Sequence, residues 1–228
     1  MAQIRPMELN GVPIPYGATI EELRERLREA SPQAWAAFEA LGHTPGIASL
    51  RLLNEATCSA DWRYRRCAIE AIGKHFLTAE SRGMILHALV DQNDYVVITA
   101  CRAVTLHRIS QAHNLLSSLL AHAEPSVREA AVTALASVWQ PQDYDRVKRL
   151  HLFDCSPEVS RDAAYALMQN VTTATWRDLF NLWQGSSLGR YRLWAVQLAH
   201  QYGGEETGRL LAGFQNDKDG HVRKAATS

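Results

Sequence analysis

One helical pattern recurs along this chain, and that recurrence limits the possible folds more than any other feature. In the stretch EPSVREAAVTALASVW, Glu124 to Trp139, the residues Val127, Ala131, Ala134, Leu135 and Val138 fall on a single helical face. Pro125 and Ser126 mark the start of this helix, with Ser126 as the expected N-cap. Its core, Val127-Arg128-x-x-Ala131-x-x-Ala134-Leu135, returns in other copies. They begin at Tyr64-Arg65, Val96-Val97, Val159-Ser160 and Tyr191-Arg192, each with a small residue three and six positions on from its second member or close to it. A fragment at Val222-Arg223 and a degenerate first copy, Ala34 to Leu41, complete the series. The second residue of each copy stands at 34, 65, 97, 128, 160, 192 and 223, at spacings of 31 or 32 residues. Phase kept this well at a period of 20–50 residues marks stacked repeats.

The other half of each period predicts a partner helix with larger apolar residues. These partners are expected near Thr19–Ala30, Pro45–Ala56, Ala79–Val90, Ser110–His122, Asp143–Leu152, Thr173–Trp183 and Glu205–Phe214. Short polar connections such as DQND at 91–94, AEPS at 123–126 and DCSP at 154–157 supply turn chemistry between them. Only part of NGVPIPYG, residues 10–17, hints at a strand, and its two prolines argue against one. The unit is therefore a helical hairpin of about 31 residues. A single hairpin cannot bury its apolar face, whereas stacked copies can.

The x-Val-Arg-x-x-Ala-x-x-Ala-Leu helix after an acidic or proline turn, clearest at Glu124–Leu135 and Asp217–Ala226, resembles the HEAT-like repeat family. The likeness is to its short variety found in bilin-lyase-type proteins, and it covers about residues 19–228. The resemblance implies an all-α, right-handed α-α superhelix, a HEAT-like solenoid of about seven hairpins. One domain is expected over 19–228, with residues 1–18 as an N-terminal cap or extended segment. Arg stands at 65, 128, 192 and 223. It gives way to Ala34, Val97 and Ser160, with Arg161 one step along, so a ladder of Arg and Asp through every copy is not expected. The last copy stops before its Ala-Leu step, which points to a longer natural chain or an end-to-end contact.

In HEAT-like solenoids the second helix of each hairpin lines the concave face. At 100° per residue, the positions opposite the core are one and five after the Arg position. The first row is then Trp35, Arg66, Ile98, Glu129, Arg161, Leu193 and Lys224, and the second is Glu39, Glu70, Arg102, Thr133, Tyr165 and Gln197. From these, the expected partner-binding residues are Trp35, Arg66, Glu70, Ile98, Arg102, Glu129, Arg161, Tyr165, Leu193 and Gln197. The signs alternate around aromatic and Arg anchors, which suits protein recognition better than a basic stripe for nucleic acid. The bland alternative is that Arg66–Glu70, Glu70–Arg102 and Glu129–Arg161 are simple surface pairs worth about 0–1 kcal/mol each.

Charge and motif content narrow the function further. Lys plus Arg and Asp plus Glu both number 24, which argues against a non-specific grip on nucleic acid. No signal peptide or membrane span is read, and the four cysteines form no C-x-x-C pair, so a reduced, cytoplasmic protein is expected. The nine histidines make no metal-ligand spacing and are expected as caps or surface residues. There is no nucleophile elbow, P-loop or dinucleotide fingerprint, so no catalytic residue, cofactor or metal is assigned. DWRYRR, Asp61 to Arg66, clusters acid, aromatics and base as in HEAT-like DNA glycosylases, but Asp61 is also the expected cap of a repeat helix. The expected function is a non-enzymatic scaffold for a protein partner. Chromophore handling, by likeness to bilin lyases, and nucleic-acid or glycosylase action are the alternatives.

Overall fold

A computed structural model describes residues 7–28, 31–74 and 77–227. It is all-α apart from one small hairpin. The first helices of the seven hairpins are α1 (Ile20–Arg26), α3 (Ile47–Thr57), α5 (Ala79–Ala88), α7 (His113–Leu119), α9 (Asp143–Phe153), α11 (Trp176–Trp183) and α13 (Thr207–Ala212). Their second helices are α2 (Pro32–Gly42), α4 (Trp62–Ile72), α6 (Asp94–His107), α8 (Pro125–Ser137), α10 (Pro157–Gln169), α12 (Gly189–Tyr202) and α14 (Gly220–Ala226). Short 3-10 turns lead into α7 and α13. The expected first helix runs to residue 30, but residues 29 and 30 lie outside the described residues, as does His75. By its contacts the chain divides into two compact units, Met1–Ala166 and Leu167–Ser228.

The alanines explain the stacking in the first unit. Ala68 and Ala71, Ala100 and Ala103, and Ala131 and Ala134 are all buried where α4, α6 and α8 pack side by side. A methyl group at each contact lets neighbouring second helices approach closely, and larger residues such as Leu53, Ile85 and Leu116 fill the layer behind them. The second unit is held by aromatic rings. Trp183 on α11 stacks on Tyr191 of α12 at 5.9 Å, and Phe180 meets Phe214 edge-on at 6.2 Å.

Two local expectations are corrected. The N-cap of α8 is Glu124 and not Ser126: the Glu124 carboxylate accepts the Ser126 N–H, and Pro125 takes the first helical position. Proline favours that position because its missing N–H would be unpaired there anyway, which moves the cap two residues upstream. Residues 8–13 do form strands, β1 (Glu8–Leu9) and β2 (Val12–Pro13), antiparallel and packed on α2. Asn10 and Gly11 both have positive φ, the geometry of a tight two-residue hairpin turn, for which Asn-Gly is the favoured pair. Pro13 lies opposite Glu8, while the next pair along carries the Ile14 N–H to Met7 carbonyl bond. In such a ladder alternate pairs exchange no hydrogen bonds, so the proline removes none.

Arginine provides a second kind of staple. Arg65 donates from Nε and Nη2 to the Asp91 carboxylate at 2.8 Å each, and from Nη1 to the carbonyls of Ser59 and Ala60. Arg128 repeats this with Asp154, His122 and Ala123, and Arg192 with Asp217, Ser186 and Ser187. Each guanidinium thus ties the turn before its own helix to the corresponding turn of the next hairpin. All three are buried, and charge-assisted bidentate pairs are the strong kind. The Arg128 bonds hold the Asp154 carboxyl below its ordinary range. Those of Arg192 bring Asp217 down to about 2. Burial alone would raise Asp91, but the Arg65 bonds outweigh it and leave that carboxyl lowered too. Where the Arg is missing the Asp is missing with it: Val97 has Ala123 as its counterpart, and Ser160 has Ser186.

A buried pair that the spacing did not reveal joins α7 to α9. His113 is 7% exposed and its Nε2 lies 2.9 and 3.0 Å from the carboxylate oxygens of Asp143, which is 0% exposed. Asp143 also accepts the Gln140 N–H. His113 is therefore not a surface histidine, and His151, half-buried against the Ser160 carbonyl, is not one either. Burial lowers the His151 pKa, partly offset by that bond.

Candidate protein-binding face

Within the first unit, the second helices present a continuous face with two adjoining depressions. The first, of about 560 Å³, lies among α2, α4 and the start of α6, and the hairpin turn closes one side with Leu9 and Asn10. Trp35, Arg66 and Glu70, all expected on this face, line it. The second, of about 400 Å³, is lined by Arg66, Ile98, Arg102 and Glu129, again from the expected rows. Arg66 and Tyr95 line both depressions and so mark where they meet. Arg161 of α10 reaches Glu129 at 3.6 Å, and Tyr165 stands one turn further along α10, 40% exposed. In the second unit Leu193 is half-buried and Gln197 exposed on α12.

The repeat geometry missed several lining residues. Trp62, Arg63, Lys74 and Tyr95 all contribute to the first depression. Trp62 sits four residues before Arg66, so carrying the row one turn towards the helix start would have found it. Its ring stacks on Tyr95 at 5.2 Å, and Tyr95 is itself 61% exposed. Trp35 stacks on Phe38 at 6.3 Å and meets Tyr64 edge-on at 5.3 Å, which fixes it as one wall. Asp61 caps α4 as expected, accepting the Arg63 N–H at 2.9 Å, and its carboxylate also holds the Arg63 guanidinium. The DWRYRR cluster is thus a capped helix start whose tryptophan doubles as a lining residue.

The ion pairs on this face fall into two groups. Lys74 is bound by Glu39, whose pKa burial would raise but whose bond to Lys74 brings lower. Arg161 is bound by Asp162 at 2.9 Å. The expected Glu129–Arg161 contact forms, whereas Arg66–Glu70 and Glu70–Arg102 do not come within ion-pair distance. Arg66, Glu70 and Arg102 therefore have no ion-pair partner among the described residues. No group of three or more metal-ligating side chains converges among the described residues. Burial pushes the Cys101 thiol up to about 12, and Cys67 is also raised by burial against the opposing pull of Arg66. No described helix is long and apolar enough to cross a membrane.

Residues 83–168 match the family model for HEAT repeats. The hairpins on either side repeat the same architecture, which gives the chain the fold of a HEAT-like helical-repeat solenoid. Solved structures show the same fold. An engineered protein matches at 18% identity and a TM-score of 0.58, covering 91% of this chain and 66% of its own. The complex of CpcE and CpcF of phycocyanin lyase from Nostoc sp. PCC7120 matches at 17% identity and 0.58, covering 97% and 98%. The condensin Cnd3–Cnd2 subcomplex of S. pombe matches at 16% identity and 0.53, covering 91% of this chain and 31% of that one. No curated protein matches the chain by sequence.

Proposed function

We propose that this chain is a non-enzymatic interaction module that holds a protein partner on the face built by α2, α4, α6, α8 and α10. The observation that carries this reading is the pair of adjoining depressions with aromatic walls and uncompensated charges. Helices locked by tight alanine contacts present these groups with little ordering cost, the cost that limits affinity in looser surfaces. Aromatic and Arg anchors are also the residues that most often dominate binding energy. Replacing Arg102 and Tyr165 together with Ala is expected to abolish capture of the partner while leaving the circular-dichroism melt unchanged. Capture that survives the double substitution would remove this face from the interaction.

The same groups support a second reading. Two guanidiniums on adjacent helices beside Trp35, Trp62 and Tyr95 suit a flat, conjugated dicarboxylate, and a complex of phycocyanin lyase shares the fold. A shift in the visible absorbance of biliverdin on adding the protein tests this directly.

A further inference from the structure

The face of the first unit is polar along its length. Trp35 on α2 stands at one end, and Trp62 and Tyr95 extend the ring cluster along the starts of α4 and α6. One to two turns further along α4 and α6 stand Arg66 and Arg102, with Glu70 beside them as a third charge, a net single positive, while Glu129 and Asp162 line the second depression from its other side. At the far end Glu129 and Asp162 share one cation, Arg161, with Glu158 near Glu129 and Arg161, which leaves a net negative charge. Burial and the neighbouring Asp162 carboxylate raise the Glu129 pKa, with Arg161 opposing, as expected for a site short of positive charge. At roughly 9 Å per helix step, α2 to α10 spans about 35 Å, the reach of about ten extended residues.

We infer that this face takes an extended peptide of about ten residues in one spatial order: an aromatic or proline ring among Trp35, Trp62 and Tyr95, an acidic side chain between Arg66 and Arg102, and a basic side chain at Glu129 and Asp162. Each contact answers an imbalance already present. The ring covers exposed Tyr95, the carboxylate takes guanidiniums that have no ion-pair partner, and the base supplies the missing cation. Ordering by charge in this way sets specificity more than raw affinity, because a misplaced sign is repelled. The inference rests on the reading of this face as a binding surface.

The test uses fluorescein-labelled decapeptides in a Gly-Ser background with the full chain. One pair carries Trp, Asp and Lys with Asp in the middle, written in both chain directions. A control of equal composition has Lys in the middle. At least one Asp-centred peptide is expected to bind tenfold or more tightly than the control. Its Asp→Asn version should lose that factor against the wild type and lose nothing against Arg102→Ala. Equal or tighter binding of the Lys-centred control would overturn the charge order while leaving the face a binding surface. Failure of every peptide also overturns the inference, and the Arg102–Tyr165 capture experiment then decides separately whether the face binds a partner at all.

Discussion

The turns ahead of α6 and α8 are built to the same plan and held in different ways. The turn at Asp91 is clamped by Arg65, which reaches across from α4 with two bonds to the carboxylate and two more to the backbone of its own turn. The equivalent turn at Ala123 has Val97 at the arginine's place in the repeat, buried and with no side-chain donor to clamp it. Among the described residues a partly exposed His122–Asp94 contact at 3.7 Å also joins these hairpins. One hairpin further on, Arg128–Asp154 restores the clamp, and the buried His113–Asp143 pair adds a second link between the first helices. Alanine packing is common to every junction of the first unit, while the buried Arg–Asp clamp comes only at alternate ones. Hydrophobic burial is what makes the repeats stack, and the clamps fix the turns where they occur.

The largest effect is expected from the His113–Asp143 link. His113→Ala leaves the Asp143 carboxylate fully buried with one backbone N–H, and should cost about 3 kcal/mol in urea unfolding. A loss below about 1 kcal/mol would show that water reaches Asp143 in the variant. Next comes a direct contrast between clamp and apolar junction. Arg128→Ala should cost about 2–3 kcal/mol and Val97→Ala about 1–2 kcal/mol at pH 7. The two differ in their response to acid. The clamp carboxylates have folded pKa values below their unfolded ones, so their stabilisation is complete above about pH 4 and is lost as pH falls through the folded value, about 2 for Asp217. The gap between Arg128→Ala and wild type should therefore close as pH falls below about 4, because the Arg128 bonds lower the Asp154 carboxyl, whereas that of Val97→Ala should not. Parallel curves for both variants would mean the Arg128 contribution is packing by its stem. The smallest effect is a graft. Val97→Arg with Ala123→Asp should gain at most about 1 kcal/mol and slow amide exchange at residues 122–124. Unchanged exchange would show that the bare junction has no room for the clamp.

Much of this was legible from spacing alone. The helices fall where the 31- and 32-residue period puts them because alanine contacts repeat with that period, and a repeated contact leaves a repeated letter. The face rows were legible in part for the same reason: residues one and five after the Arg position line the two depressions in the copies at 34, 65, 97 and 128, whereas Arg161, Tyr165, Leu193 and Gln197 line neither. What the pattern did not yield lies outside the repeat. The strands at 8–13 depend on an Asn-Gly turn that occurs once, and the prolines masked it. His113 and Asp143 are thirty residues apart on successive first helices, where side chains vary between copies and no rule of adjacency pairs them. Arg66 and Glu70 show the opposite limit. Helical spacing made them neighbours, yet their side chains stay out of ion-pair reach, which only coordinates reveal.

The pairing of Arg with Asp has a consequence for how such a chain can change length. Arg65, Arg128 and Arg192 are 63 and 64 residues apart, twice the period of the alanines. Inserting or deleting one hairpin would leave a guanidinium facing a turn without its carboxylate, or a carboxylate without its guanidinium. Inserting or deleting two hairpins together preserves every match. The module that can be copied or excised without leaving an orphaned charge is the double hairpin.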